Sequence, residues 1–516
     1  MGENTTPTVI VVGGGSAGAV IARRLVDAGV AVTLLEAGGE DTNPAIDDPS
    51  RAGELWHSAE DWDFRTVPQE HAAGRRLHLP RGKVLGGSHA LNAMIWVRGA
   101  HSDYDHWASL GNEGWAWNDV LPVYRDIEAF SGGASTLPGA DELHGFEGLL
   151  PVTDAYPLEP IQASIVQAAV QEGLEVNPDY NGDRLDGIAQ EQVTLVDGHR
   201  VNTWTAYLKP VRDSVDLRTG CDVHSVIVED GRAVGVRYRA DGELREVRAD
   251  EVVLAAGALG SPAILLRSGI GPAQELDAVG VGVVVDAPGV GKNLHDHLLS
   301  PVIFRTEAKP VGAPTPGVSV TQTHLFWRST PEQEEPDTQP INFSVPMYGE
   351  DLEPAGDDGF SLMAGIVRPA SRGELTLTGP GLDDPLNVDL QALTEPEDVA
   401  SLAASVRQCR RIGAQPALAE EWGAVEVYPG AGVSDDDVEE YVRRTVVTYH
   451  HQVGTCRMGV DAGAVVDPRL RVYGVAGLRV ADASIMPRIT TGNTNAPAVL
   501  IGEQGARFVL EDLAAR

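Results

Sequence analysis

The clearest pattern of apolar and polar positions lies close to the N-terminus. Residues 8–12, TVIVV, all favour β-structure and predict a strand. Beyond a glycine-rich stretch, apolar residues recur at helical spacing, at Val20, Ile21, Leu25 and Val26. A second strand-like run, AVTLLE, then ends at Glu36. This order of elements predicts a β-α-β unit.

Glycines and an acid stand where a β-α-β unit binds a dinucleotide. Gly13, Gly15 and Gly18 form a GxGxxG motif at the turn between the first strand and the helix. Glycine allows a tight turn there and lets the backbone approach a pyrophosphate at the helix N-terminus. Glu36 follows Gly18 by 18 residues, where an acid accepts hydrogen bonds from a ribose. The unit predicts dinucleotide binding, and the motif alone leaves FAD and NAD open.

Strand patterns recur far along the chain. Residues 252–255 are apolar throughout, as in a buried parallel strand, and a helix that follows ends near Gly269. Residues 477–482 predict another strand, ending at Asp482. We therefore expect distant segments to form one sheet in an α/β fold. The span 300–440 carries polar turns and proline-rich stretches, which favours a second domain inserted into the first.

Composition narrows the class of protein. The 516 residues are 42% hydrophobic, with 58 glycines and 33 prolines, which suits a loop-rich α/β enzyme. A formal net charge of −36 argues against nucleic acids and anionic membranes as partners. No apolar run reaches transmembrane length, and the N-terminal residues lack the pattern of a secretory signal. Three separated cysteines indicate neither a disulfide framework nor a zinc site, so we expect a cytoplasmic protein.

Several ordered blocks along nearly the whole chain resemble one known family, the glucose–methanol–choline (GMC) flavin oxidoreductases. The resemblance extends to its bacterial alcohol or choline dehydrogenase-like and hydroxymethylfurfural-oxidase-like members. The blocks are VVGGGSAGAVIARRL, DWDFRTVPQ, PRGKVLGGSHALNAMIWVRG, DYDHWASLGNEGWAW, GALGSPAILLRSGIGP, PGVGKNLHDH, YHHQVGTCRMG and TGNTNAPAVLIGEQGA. Blocks of this specificity in this order are very hard to obtain by chance.

The resemblance implies a fold and a cofactor. The family has a Rossmann-like FAD-binding domain that carries a substrate domain built on an antiparallel sheet with helices. We assign residues 1–150, 190–299 and 441–516 to the FAD-binding domain, and residues 151–189 and 300–440 to the substrate domain. The family oxidises alcohols by passing a hydride to FAD, which favours FAD over NAD here.

The resemblance also assigns cofactor contacts by position. In the family, the loop at residues 81–92 lies along the pyrophosphate and the isoalloxazine, although a Gly-Gly pair such as Gly86–Gly87 is also typical of an ordinary turn. Asp482 is expected near the ribityl chain. The assigned cofactor residues are Gly13, Gly15, Ser16, Ala17, Gly18, Glu36, Arg81, Gly86, Gly87, Asn92, Ala93, Val223, Asp482 and Asn495.

Histidines in two blocks bear on how the cofactor is held and on metals. Some family members attach FAD covalently through a histidine directly before the loop's asparagine, a position that Leu91 occupies here. His89 is out of register with it, so we expect noncovalent FAD. In NLHDH, His295 and His297 lack a third ligand at zinc spacing, and no metal is expected. Cys456 has no evident basic partner and is expected to pack.

Alcohol oxidation needs a base for the hydroxyl proton and a polar group that positions the alcohol oxygen. Histidine suits the first role because its ordinary pKa lies near neutral pH. The resemblance supplies a histidine in YHxxGTxRMG and a histidine or asparagine in the C-terminal block, here Asn493. The base is expected directly after the aromatic residue and four residues before the Gly-Thr turn, which selects His450 over His451.

The side chains around this histidine pair carry further expectations. If residues 449–451 are extended, adjacent side chains point to opposite faces and only one histidine faces the flavin. Tyr449 is expected to form an aromatic wall of the substrate pocket. The GNTN segment that contains Asn493 is also compatible with a helix N-cap, for which asparagine is well suited.

The sequence thus predicts FAD-dependent oxidation of an alcohol, with a primary alcohol favoured, to an aldehyde or ketone. Oxygen and a quinone are both open as electron acceptors, and the pocket residues in 300–440 are not identified. The family also includes lyases that keep FAD without redox chemistry, and photodecarboxylases that lack the active-site histidine. A histidine paired with Asn493 argues against the photodecarboxylase.

Overall fold

A computed structural model describes residues 7–356 and 358–515. Its first sheet is parallel and draws on segments from across the chain. The strand order is Asp216–Arg218, Ala31–Leu35, Thr8–Val12, Glu251–Leu254 and Leu478–Val480. Every neighbouring pair in this parallel sheet runs in the same direction. The prediction that distant segments share one sheet is confirmed.

Two helices pack closely beside the parallel sheet because small residues face each other. Helix Ser16–Asp27 starts within the glycine motif, directly after Gly15, and helix Asn495–Ala514 lies against it. A methyl group added at Gly18 would lie 1.9 Å from the Gly13 carbonyl oxygen, and one added at Gly502 would lie 2.8 Å from the Ala17 carbonyl oxygen. Neither position has room for a side chain, so both glycines are needed for this packing.

The second sheet is antiparallel and supplies the inserted layer that the sequence predicts. Its order is Ala424–Tyr428, Leu298–Thr306, Phe360–Ile366, Ile341–Phe343, Thr321–Phe326 and Gly187–Gln190, and Val447–Thr448 also pairs with Leu298–Thr306. Helix Pro396–Gly413 packs on this antiparallel sheet. The sheet therefore reaches past the predicted span 300–440, to residues 447–448, while the domain boundaries themselves stay a prediction.

Smaller elements complete the chain. The other α-helices are Pro44–Asp47, His101–Ser109, Trp117–Ile127, Ala140–Leu143, Pro160–Gln171, Gly257–Arg267, Ala273–Ala278, Pro416–Ala419 and Val438–Thr445. Short 3-10 or π turns occupy Pro49–Leu55, Glu70–Ala72, Gly87–Ala90, Ala134–Thr136, Trp204–Leu208, Lys209–Ser214, Asp435–Asp437 and Ala483–Ile485. A three-stranded sheet is formed by Asp222–Glu229, Arg232–Ala240 and Glu243–Arg248. Strand pairs are formed by Phe64–Arg65 with His78–Leu79, Glu128–Ser131 with Leu150–Thr153, Leu195–Val196 with His199–Arg200, Ile270–Gly271 with Val285–Asp286, and Glu374–Leu377 with Leu386–Asp389.

Two further observations bear on the sequence-based expectations. Across residues 7–356 and 358–515, no helix is both long and apolar enough to cross a membrane. The three cysteines are buried and unbonded, and burial raises the pKa of the Cys456 thiol well above its ordinary value. A thiol held in its neutral form is a poor nucleophile, which supports a packing role for Cys456.

Candidate active site

A large cavity lies between the two sheets. Its volume is about 1230 Å³, above the ~300–1,000 Å³ that is typical of small-molecule sites. Val12, Leu35 and Ala255, at or just beyond the carboxyl ends of three parallel strands, line one end. Leu299 and Met363 of the antiparallel sheet line the other end. Open α/β sheets bind their ligands beyond the carboxyl ends of the strands, which is where this cavity begins.

Glu36 anchors the first end of the cavity. Its carboxylate is buried and accepts hydrogen bonds from the backbone N–H groups of Gly14 at 2.8 Å and Gly38 at 2.7 Å. Burial raises the pKa of Glu36, and the two backbone donors oppose that rise. The side chain lines the cavity next to the glycine turn, as a carboxylate that receives a ribose hydroxyl must.

Two glycine loops meet where a pyrophosphate would lie. Gly87 has a left-handed backbone, with φ of 55°, and a methyl group added to it would lie 2.7 Å from the Gly15 Cα. Both glycines line the cavity, together with Ser16 and Asn92. The close approach leaves exposed backbone that a flat or phosphorylated ligand can contact. An ordinary surface turn would not need this contact between distant loops.

Unpaired donors in the cavity wall also fit a dinucleotide. Arg200 is buried, and its Nη1 donates to the Asn92 side chain while its Nη2 has no partner among the described residues. The amide nitrogen of Asn495 is likewise unpaired, although its oxygen accepts a 2.8 Å bond from Ser16. Buried donors without partners cost free energy unless a ligand meets them. Arg200 was missed by sequence reasoning, because nothing in its local pattern marks it.

Of the remaining predicted cofactor residues, Gly18 and Gly86 do not line the cavity, and two of those that do line it already have protein partners. The Asp482 carboxylate accepts from the Gly257 N–H at 2.9 Å and from the Ser261 hydroxyl at 2.5 Å. It thereby fixes the start of helix Gly257–Arg267. The Arg81 guanidinium donates to the carbonyl groups of Pro80 and His450, which places it near the histidine pair. Gly13, Ala17, Ala93 and Val223 also line the cavity.

The loop position used for covalent attachment holds an unreactive side chain. Leu91 lines the cavity, whereas His89 is fully buried outside it, with Nε2 3.1 Å from the Thr194 hydroxyl. Burial lowers the pKa of His89 to about 3. The structure therefore brings no histidine of this loop to the cavity surface, which supports noncovalent binding.

His451, rather than His450, lies beside Asn493. The Nε2 of His451 is 3.4 Å from the amide nitrogen of Asn493, and both residues line the cavity. The Tyr449 ring stacks on His451, with centroids 4.6 Å apart. The expected pairing of His450 with Asn493 is therefore wrong, while the placement of Tyr449 in the cavity wall agrees with its expected position.

The backbone explains the difference. Residues 449–451 are not extended, because His450 has a left-handed φ of 66°. The kink puts the rings of residues 449 and 451 together and directs His450 to another part of the cavity wall. There its Nδ1 lies 2.7 Å from the Thr448 hydroxyl, and its ring packs edge-on against Trp56. The motif YHxxGTxRMG already carried this signal, since counting back from Gly454 selects His451.

Both histidines are half-buried in the cavity wall, and their surroundings favour the uncharged form. Burial lowers the pKa of His451 well below its ordinary value, and His297, Arg81 and His450 lower it further. Burial likewise lowers the pKa of His450 to about 3. A neutral imidazole has one nitrogen with a free lone pair, so it accepts a proton without first losing one. This electrostatic setting suits a general base.

Apolar side chains surround the His451–Asn493 end of the cavity. Ile95, Leu299, Ile341 and Met363 belong to one buried cluster with Tyr449, and all five line the cavity. Phe343 and Met347 pack against the same cluster and also line the cavity. Ile341, Phe343, Met347 and Met363 are among the pocket residues within 300–440 that sequence reasoning did not identify. Such a wall excludes water and favours an uncharged ligand.

A group of histidines and aspartates lies at another part of the cavity rim. His57 Nδ1 is 2.8 Å from Asp63, and His78 Nε2 is 3.1 Å from both Asp61 and Asp63. The two imidazole rings are stacked, with centroids 4.0 Å apart and an angle of 26°. One ion cannot lie close to the planes of two stacked rings, and the four side chains already satisfy one another. That the protein holds no metal stays a prediction.

Comparison with known proteins identifies the family. Residues 8–299 and 369–502 match the two parts of the family described as GMC oxidoreductase. An alcohol dehydrogenase (acceptor) from Pseudomonas putida is 36% identical, over 97% of this chain and 95% of that protein. An oxygen-dependent choline dehydrogenase from Brucella anthropi is 37% identical, with the same coverage of both chains. The crystal structure of pyridoxine 4-oxidase from "Mesorbium loti" superimposes with a TM-score of 0.91 and 35% identity, over 98% of this chain and 99% of that chain.

The first prediction concerns Glu36, whose buried carboxylate lies at the end of the cavity where a ribose is expected. Glu36→Ala should weaken FAD binding by about 1.5–3 kcal/mol, as for a charge-assisted hydrogen bond, measured by titrating the apoprotein with FAD. Glu40→Ala is the matched control, since Glu40 lies four residues on and pairs with Arg212. Equal FAD affinities in the two variants would show that Glu36 does not hold the ribose.

Proposed function

Since this chain belongs to the GMC oxidoreductase family, we propose that its cavity oxidises an alcohol with His451 as the general base. The protein is an FAD-dependent oxidoreductase that acts on CH–OH groups, with a Rossmann-like cofactor domain and a substrate domain. The observation that carries the proposal is the approach of His451 to Asn493 within an apolar part of the cavity.

Each residue of the pair has a distinct task. FAD, when bound along the glycine loops, supplies the hydride acceptor. His451 Nε2 takes the hydroxyl proton, and a base of this kind contributes ~10²–10⁴-fold in rate. The Asn493 amide holds the alcohol oxygen, since its own oxygen is already fixed by a 2.9 Å bond from Gln339. Fixing the amide turns its N–H groups toward His451 and the substrate.

The substrate proposed is a primary alcohol on an uncharged, apolar or aromatic group. The support is the wall of aliphatic, methionine and aromatic side chains around Tyr449. An anaerobic panel of benzylic, aliphatic, polyol and quaternary-ammonium alcohols tests this by bleaching of the flavin absorbance. Faster reduction by a polyol or a quaternary-ammonium alcohol than by the apolar alcohols would contradict the proposed substrate class. Oxygen or a quinone as acceptor, and a cytoplasmic location, stay predictions.

A second prediction concerns the state of the cofactor. FAD should be noncovalent, because Leu91 occupies the attachment position and His89 lies outside the cavity. Acid precipitation of the purified protein should then leave the yellow colour in the supernatant. Flavin that stays with the pellet and migrates with a peptide after proteolysis would contradict it.

A third prediction separates the two adjacent histidines. His451→Asn should slow anaerobic flavin reduction by at least ~10²-fold, because it removes the base. His450→Asn should stay within about tenfold of the parent, as asparagine tolerates the left-handed backbone at this position. Stopped-flow reduction of both variants, corrected for FAD content, gives the ranking.

The opposite ranking would return the base to His450. The pH profile adds an independent check. Because the pKa of His451 is lowered in the folded protein, the unprotonated base persists to pH values below the ordinary histidine range. The reduction rate should therefore be flat through neutral pH and fall only on the acid side.

A further inference from the structure

A third histidine contacts the proposed base at Nδ1, the ring nitrogen that does not face Asn493. His297 Nδ1 lies 3.0 Å from His451 Nδ1; His297 is fully buried, whereas His451 is half-buried in the cavity wall. The rings meet edge to face, with centroids 5.1 Å apart and an angle of 89°. One nitrogen of this pair must donate and the other accept. Which one donates decides whether His451 presents a lone pair or an N–H to the cavity.

The backbone around His297 favours one direction of the bond. The backbone groups of Val367 and Thr490 interact with the His297 ring and favour its protonated form, as carbonyl acceptors do. Nδ1 faces His451, so these backbone groups act on the Nε2 side of the ring, although no described residue makes a hydrogen bond of normal geometry with Nε2. A neutral imidazole carries one proton, and this setting favours Nε2 as the nitrogen that carries it. His297 Nδ1 is then an acceptor.

The contacts of Asn493, on the Nε2 side of His451, require the same arrangement. The Gln339 amide donates to the Asn493 oxygen at 2.9 Å, so the Asn493 nitrogen faces His451 Nε2. An amide N–H meets an imidazole nitrogen favourably only when that nitrogen has a free lone pair. His451 must then carry its proton on Nδ1, the nitrogen that faces His297. The contacts of Asn493 and the backbone near His297 therefore favour the same direction for the bond between the two histidines.

We propose that His297 is a positioning residue that holds His451 in the tautomer with Nδ1 protonated and Nε2 free to accept the alcohol proton. This inference rests on the proposed function of His451 as the base. His297 does not line the cavity and touches no reacting atom. It acts on the reaction only through the hydrogen bond to His451.

The surroundings of the pair contain few other groups that set its protonation. Asp296 accepts from the His451 backbone N–H at 2.7 Å, and burial raises the pKa of its carboxyl to about 7. The Arg81 guanidinium and the His450 ring act on His451 from the other side, and the Asn493 amide faces its Nε2. None of these groups contacts His451 Nδ1. The tautomer therefore depends on His297.

The test compares three variants in the FAD-loaded enzyme. His297→Leu removes the acceptor, and flavin reduction should slow by ~10- to 10³-fold while the alcohol dissociation constant stays within about threefold. Enforcing the wrong histidine tautomer in a serine protease costs ~10⁴-fold, which is the upper bound here. His297→Asn keeps an acceptor oxygen near the place of Nδ1 and should recover to within about tenfold of the parent. His295→Leu is the packing control, because His295 is equally buried but bonds to backbone at Asn293 and Ile489.

A readout that does not depend on turnover completes the test. In the parent, nitrogen-15 spectra of the histidine rings, assigned with His451→Asn, should show His451 protonated at Nδ1. In His297→Leu the Nε2-protonated form should appear. Parental rates in His297→Leu, no recovery in His297→Asn, or a parent protonated at Nε2 would each overturn the inference. If no alcohol reduces the parent, the proposed function fails while the ring-nitrogen result still decides the tautomer.

Discussion

Backbone pairing between residues 295–297 and 449–453 determines the geometry of the whole site. His295 and Val453 exchange hydrogen bonds of 3.2 and 3.0 Å, and the Tyr449 N–H donates to the His297 carbonyl at 2.9 Å. The Asp296 carboxylate closes the pair by accepting from the His451 backbone and from the Gln452 amide. With both segments held on two sides, the His451 ring has one orientation, toward Asn493. A base placed on a free loop would not keep this alignment.

Burial then gives each polar group its protonation state. The same low-polarity surroundings lower the pKa of His451 and raise the pKa values of Glu36 and Asp296. Backbone and side-chain donors oppose the rise at the two carboxylates. Buried polar groups persist only in satisfied networks. At the cofactor end, donors on Arg200 and Asn495 are left without partners among the described residues, and we propose that FAD meets them.

The sequence predicts the β-α-β unit, its glycine turn and Glu36 because those features depend on local spacing. The identity of the base depends on something less local. A left-handed residue at His450 reverses the expected direction of the side chains, and an alternating pattern cannot reveal such a kink. His297 and Gln339 come from distant segments, and only the fold brings them to His451 and Asn493. The apolar residues of the pocket wall could not be predicted from the sequence for the same reason.

On this mechanism, an alcohol meets His451 and Asn493 at the apolar end of the cavity. The most direct measurement is a crystal structure of the FAD-loaded protein with an alcohol analogue that cannot be oxidised. We predict the analogue's oxygen within ~2.6–3.2 Å of His451 Nε2, the distance needed for proton transfer, and also in contact with the Asn493 amide. An oxygen bound to His450 instead, with His451 turned away from the ligand, would contradict the account.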